Sequence, residues 1–299
     1  MSKALVYIQL QNDLNPCFWH SLKKARGNWA GDIILVAPQR ELSWPAIGGN
    51  NVRFISEESL QSQLLDEYNN KTFFNRIHPG WNGFWDNACK RLIYLWMVQE
   101  QYCIEKTIHI ETDVILYMNL GNMFDGCEKY FKDKIVFSKH APYQTSCCTI
   151  YSDGIQSTYL LCKSIIEYFD RGHEWFLSKY PGQTIINETH FAYTYCDENK
   201  DRVNYFATIP GDENSRVFNA LIDPTAWGMW VDGLHRNPGQ SFCTQHNYIG
   251  LELLQGRYDV HFHYFNGRIE KPYIYSTSSG MCYPLATLHF NSKRPGQWI

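Results

Sequence analysis

No stretch of the 299-residue chain approaches the roughly 18 consecutive apolar residues that a bilayer-spanning helix needs. The opening run, residues 4–10, is brief, has no small-residue cleavage site after it and gives way to polar residues from Gln11, so it reads as a first strand. An excess of one charge is also missing. Lys and Arg number 27 against 30 Asp and Glu, a net charge of -3 at pH 7, with no dense basic block. That balance excludes a protein held mainly by nucleic-acid phosphates or by an anionic membrane surface. Paired short cysteine spacings are lacking too. The ten cysteines are scattered except for adjacent Cys147 and Cys148, which fits reduced thiols in a cytoplasmic protein better than a disulfide frame or a zinc knuckle. Disorder is excluded by an apolar share of 44 % against a charged share of 19 %.

What is present is a β-α-β rhythm. Residues 4–10 are apolar and β-branched, 16–26 start on Pro and end basic, and 33–37 are strand-like again. Residues 52–55 give another short strand, and Ser56 followed by Glu57 and Glu58 predicts a helix start. The stretch 69–83, with Pro79-Gly80 and Asn82-Gly83, predicts an exposed loop. Residues 84–101 place Trp85, Ala88, Leu92, Leu95 and Trp96 near helical spacing, and 107–110 form a strand ending on Glu111-Thr112-Asp113. Residues 114–117 resume an apolar stretch. In the second half 155–169 and 187–196 read as helices and 258–265 as a strand. Residues 223–250, rich in Gly, Asn and aromatics, read as a long functional loop region. A composition break near 138–145 separates the halves.

Three clusters could carry chemistry. Glu111 and Asp113, two apart at a strand end, would share a face while Thr112 points away, and paired carboxylates attract a hard cation that keeps positions open for phosphate oxygens. His289 can offer a neutral ring nitrogen to such a cation, and Lys293 can reach a phosphate as a point charge. Glu188 stands at a helix start, within Asn187-Glu188-Thr189. Each also has an ordinary reading: a solvated strand end, a satisfied structural histidine, a first-turn acid. Arg91 either reaches a phosphate or snorkels over apolar surface. Trp227 and Trp230, set among glycines, are candidate platforms for a sugar ring.

Taken in order, these pieces resemble glycosyltransferases of the GT-A fold, in particular stand-alone members from large DNA viruses and bacteria. The likeness rests on Phe84-Trp85 through Arg91 to Ile108-His109-Ile110-Glu111-Thr112-Asp113-Val114, then on Asn187-Glu188-Thr189, Asp223-Pro224-Thr225-Ala226-Trp227-Gly228 and Leu288-His289 to Lys293. It implies a single α/β domain over 1–299, with a mostly parallel central sheet flanked by helices, a nucleotide-binding half over about 1–140 and an acceptor half over about 141–299. The activity it implies is metal-dependent transfer of a sugar from a nucleotide donor, UDP-linked by preference, to a glycan or other hydroxyl acceptor.

On the same resemblance Asp113 and His289 bind Mn²⁺ or Mg²⁺, with Glu111 beside the ion or the ribose. Gln9, Arg91, Lys293 and Trp227 join Glu111 on the donor side. Glu188 is the expected base of an inverting reaction, with Asp223 a further acid in reserve. Two features depart from the family pattern: the triplet begins with Glu rather than Asp, and no Gly-Gly loop stands just before the proposed base. The alternatives are a catalytically inactive protein that binds a sugar or nucleotide, and a sugar nucleotidyltransferase. The latter would carry a Gly-rich phosphate loop after the first strand, where Gln11-Asn12-Asp13-Leu14 stands instead.

Overall fold

Strand β1 (Lys3–Ile8) is buried on both faces: Ala4, Val6 and Ile8 enter one apolar layer, Leu5 and Tyr7 the other. A strand of that kind belongs in the middle of a sheet with cover on each side. The computed structural model, which describes residues 2–10, 14, 16–39, 52–231, 248–265 and 268–290, bears this out.

Helix α1 (Pro16–Asn28) starts on a proline, whose missing N–H is no loss at a first helical position. It returns the chain to β2 (Asp32–Ala37), parallel to β1, and β3 (Val52–Ser56) lies parallel to β2. The helix expected at Ser56 is only one 3-10 turn, Glu57–Ser59. The Ser56 hydroxyl is spent on the Glu58 carboxylate and caps nothing. Ser62 does the capping, accepting from Leu65 N–H at 3.1 Å, and α2 (Gln63–Lys71) follows. The expected loop over 69–83 instead holds a short helix α3 (Phe74–Ile77) with Phe73 and Phe74 buried, because two adjacent phenylalanines gain more in the core than in water.

Helix α4 (Phe84–Gln101) leads into β4 (Lys106–Ile110), parallel to β1, then β5 (Val114–Leu116) and α5 (Leu120–Tyr130). The segment 138–145, read as a composition break, is a hairpin between β6 (Ile135–Ala141) and β7 (Gln144–Asp153). The central sheet runs through it in the order β3-β2-β1-β4-β7-β6-β8, with β8 at Val203–Phe206. All its pairings are parallel except the two that β7 makes. The expected mostly parallel α/β sheet flanked by helices is therefore present.

Helices α6 (Ile155–Arg171), α7 (His173–Lys179) and α8 (Glu188–Glu198) join α4 in the layer that covers one face, and α1 and α5 cover the other. Beyond the sheet come α9 (Trp227–Val231), α10 (Tyr248–Leu254) and the antiparallel β9 (Tyr258–Phe265), β10 (Arg268–Ser276) and β11 (Cys282–Pro284). Strand β12 (Thr287–His289) closes the described chain by pairing with β5. No disulfide joins the described cysteines. Among the described residues no helix is long and apolar enough to cross a membrane.

Candidate active site

Strands β2 and β3 lie to one side of β1, and β4 lies to the other, so the strand order reverses between β1 and β4. In open parallel sheets a crevice forms at such a point, beyond the carboxyl ends of the strands. Gln9, just past β1, and Glu111, just past β4, stand there, and both line a cleft of about 520 Å³.

Glu111 and Asp113 converge, though not by strand alternation as expected. Residues 112–113 form a turn closed by Val114 N–H donating to the Glu111 carbonyl at 3.0 Å. Thr112 is turned to Gln9, its hydroxyl donating to Oε1 at 2.6 Å, which occupies that oxygen and ties the ends of β1 and β4 together. His289 arrives from the far end of the chain because β12 pairs antiparallel with β5, His289 opposite Val114, and Phe290 N–H donates to the Asp113 carbonyl at 2.9 Å. Its Nε2 lies 3.0 Å from Glu111 Oε2 and 3.3 Å from Asp113 Oδ1.

Burial opposes a charge on the His289 imidazole, but Asp113 and Glu111 outweigh it and hold the proton well above the ordinary histidine range. The two carboxylates thus already draw in a positive charge. One ligand atom from each residue lies within 4.8 Å of the others, and the 3.0 and 3.3 Å separations from His289 Nε2 fall inside the roughly 4.2 Å that two bonds of about 2.1 Å to one ion allow. Two carboxylates with one imidazole are a donor set that could hold a divalent metal ion.

Arg91, on α4, grips Glu111 Oε1 at 2.5 Å. Burial works against ionisation of Glu111, yet Arg91 and then His289 keep its carboxyl well below the usual range. Arg91 therefore faces the site as a partly buried cation paired to a carboxylate.

Glu188 is the first residue of α8 and lines the same cleft. Asn187 caps the helix, accepting from Thr189 N–H at 3.1 Å, and the His190 ring reaches back to the Asn187 N–H. The cap thus does not need the Glu188 carboxylate. Its Oε2 is buried without a protein partner. Burial lifts the Glu188 carboxyl to about 7, with Arg91 pulling it down and Glu111 pushing it up.

Two sequence-based expectations are corrected here. Asp223 is fully buried and does not reach the cleft as an acid. Its Oδ1 accepts from the N–H groups of Ala226 and Trp227 at 2.7 and 2.9 Å, and its Oδ2 from those of Gly228 and His289, both at 2.9 Å. Four backbone donors consume the carboxylate, so it anchors α9 and β12 rather than moving protons. Trp227 offers no platform: it is fully buried in the core beside Leu288 and Phe290, with Nε1–H donating to the Thr208 carbonyl at 2.9 Å. Lys293 and the side chain of Trp230 lie outside the described residues.

Some cleft residues carried no sequence signal. His140 sits in the β6–β7 hairpin region, where burial lowers its imidazole to about 4, and its neutral Nδ1–H donates to the Pro224 carbonyl at 2.8 Å. Beside it Thr225 holds a left-handed φ of 83°, unusual for a β-branched residue and found where surrounding structure imposes it. Trp81, Phe84 and Trp85 also line the cleft. For Phe84 and Trp85 a signal was legible, since positions 84, 85, 88 and 91 recur on one stripe of α4 that ends at Arg91, whereas Trp81, within the segment read as a loop, had none.

No protein-family model matches the chain, and no curated protein does. Solved structures do. Mouse xyloside xylosyltransferase 1 in its apo form is similar over 73 % of this chain and 93 % of its own, at 9 % identity and a TM-score of 0.49. The galactosyltransferase LgtC, in complex with donor and acceptor sugar analogues, is similar over 72 % and 82 %, at 12 % identity and 0.44. The PaToxG glycosyltransferase is similar over 85 % and 84 %, at 13 % identity and 0.42. None of the three reaches a TM-score of 0.5, and at 9–13 % identity they assign this chain neither a family nor a donor nor an acceptor.

Proposed function

We propose that this chain is an inverting, divalent-metal-dependent glycosyltransferase that moves a sugar from a nucleotide-diphosphate donor, UDP-linked by preference, to a hydroxyl acceptor. The observation that carries the reading is the meeting of Glu111, Asp113 and His289 at the sheet's reversal point, in one cleft with a buried glutamate whose Oε2 has no partner. The sequence resemblance to GT-A enzymes points the same way.

Asp113 and His289, with Glu111, would hold Mn²⁺ or Mg²⁺, which when bound neutralises charge developing on the departing diphosphate. Arg91 orients Glu111 and adds a fixed positive charge in that wall. Oε2 of Glu188 takes the proton of the acceptor hydroxyl as the acceptor's oxygen forms its bond to the sugar's anomeric carbon. The bond from that carbon to the diphosphate breaks with its electron pair, releasing the nucleoside diphosphate. A carboxyl near 7 is suited to this at neutral pH, since it is ionised in a large share of molecules and basic enough to accept a proton. Arg91 offsets part of the upward push that burial gives the carboxyl. The thiol-rich interior, including Cys147 in the cleft wall, favours a reducing compartment such as the cytoplasm.

The test is a thermal shift with UDP and GDP, each with and without Mn²⁺, followed by donor hydrolysis with UDP-linked sugars. A Mn²⁺-dependent shift with release of UDP supports the reading. No shift with either nucleotide and no hydrolysis would leave an inactive binding protein.

A further inference from the structure

The cleft has an aromatic rim that the proposed chemistry does not use. Ring centroids of Phe84 and Trp85 lie 4.8 Å apart, those of Trp81 and Trp85 5.3 Å, and those of Trp81 and Phe84 6.1 Å, so the three form one cluster. Yet Trp81 is 51 % exposed and Phe84 42 %. Leaving two large rings in water at the mouth of a cleft forgoes burial that folding would otherwise gain. Within the same wall Trp85 Nε1–H is buried with no acceptor, although buried indole donors ordinarily find one.

These features ask for one kind of ligand. A wholly apolar molecule would cover the rings and leave the indole N–H unpaired. A pyranose ring meets both needs, because its C–H face packs on an aromatic while its edge hydroxyls accept hydrogen bonds. Position decides which sugar is meant. Trp85 and Arg91 are six residues apart on α4, about 9 Å of backbone rise along the helix axis, so the rim stands at the N-terminal end of α4 and the Arg91–Glu111 pair further along it. That leaves the inner cleft for the donor.

We propose that Trp81, Phe84 and Trp85 form a saccharide subsite that takes a pyranose ring of the acceptor, with Trp85 Nε1–H donating to one of its hydroxyls. The acceptor is therefore a glycan rather than a protein or lipid hydroxyl. This rests on the proposed function for the word acceptor; saccharide binding itself is separable from turnover.

The experiment is isothermal titration of the full chain, with UDP and Mn²⁺ present, against neutral hexasaccharides of glucose (α- and β-linked), mannose, galactose and xylose. The wild type binds at least one. Trp81→Ala and Phe84→Ala each weaken that binding about tenfold, as loss of a stacking face should. Trp85→Phe, which keeps a ring and removes the N–H, weakens it about threefold and guards against a folding defect in the other two. All three variants keep the wild-type thermal shift with UDP and Mn²⁺. The subsite is overturned if no hexasaccharide binds, or if Trp81→Ala and Phe84→Ala bind as the wild type does. Loss of the UDP shift in those two variants would give the rim to the donor and overturn the acceptor assignment. A wild type that binds a hexasaccharide but shows no UDP shift would sink the proposed function and leave the saccharide subsite standing.

Discussion

The backbone N–H of His289 donates to Asp223 Oδ2 at 2.9 Å, so a residue 66 positions earlier fixes where the imidazole enters the site. The same oxygen accepts from Gly228 N–H, and a methyl group added at Gly228 would lie 1.8 Å from the His289 carbonyl oxygen. Asp223 and Gly228 together set the seat of His289: one by attraction, the other by leaving no bulk.

Asp223→Asn keeps the shape but turns an amide N–H₂ toward backbone donors. Urea unfolding should show a loss of about 3 kcal/mol, since a buried acceptor of four N–H groups is compromised. Mn²⁺-dependent UDP affinity should fall with it. Gly228→Ala should act on affinity in the same direction because the strand carrying His289 must shift. Wild-type stability in Asp223→Asn would show that the carboxylate is not the anchor.

Asp113→Ala and His289→Ala should each abolish the Mn²⁺-dependent part of UDP binding with the fold retained, read by thermal shift and circular dichroism. Both side chains contribute ligand atoms to one cluster, so the double variant should lose no more metal dependence than either single one. Additive, partial losses would mean that the two act at different ions.

Glu188→Gln should reduce sugar transfer by about a hundred- to ten-thousand-fold while donor affinity stays. In the wild type, transfer should rise with pH through about 7 as the carboxylate forms. Stability should move the opposite way. The folded carboxyl near 7 lies above the ordinary 4.5, so the native state holds the proton more tightly and loses stability as pH climbs between those values. This group alone accounts for roughly 3 kcal/mol across that window, and Glu188→Gln should flatten the slope. A transfer loss below about tenfold would remove Glu188 from the chemistry.

Trp227→Ala should cost about 3–5 kcal/mol, the penalty for emptying a core site of that size, whereas a surface platform residue would cost little. Chemical denaturation decides between the two.

Much of the frame was legible in the chain itself. The continuous apolar run of β1, the 3.6-residue stripe of α4 and the end of β4 at Glu111 follow from local pattern, because each element must bury its apolar surface wherever it ends up. The loop assigned to 69–83 holds a helix, and the composition break near 138–145 falls within a strand pair, for a shared reason. Gly, Pro and polar residues mark turns, but they do not show whether the phenylalanines or strands between those turns find a core to enter.

The sequence by itself determined which acids, imidazole and cation could meet a metal–diphosphate pair, since those are properties of residue type and near spacing. Only the tertiary structure decided which of them do meet. Pairing of β12 with β5 carries His289 to Asp113, and the capping of α8 by Asn187 leaves Glu188 buried and unpartnered. Asp223 and Trp227, alike in sequence to site residues, went to the backbone and the core, because a buried carboxylate is drawn to unsatisfied N–H groups and a large ring to apolar volume. Long-range register and burial set those outcomes, and neither is encoded within any one segment.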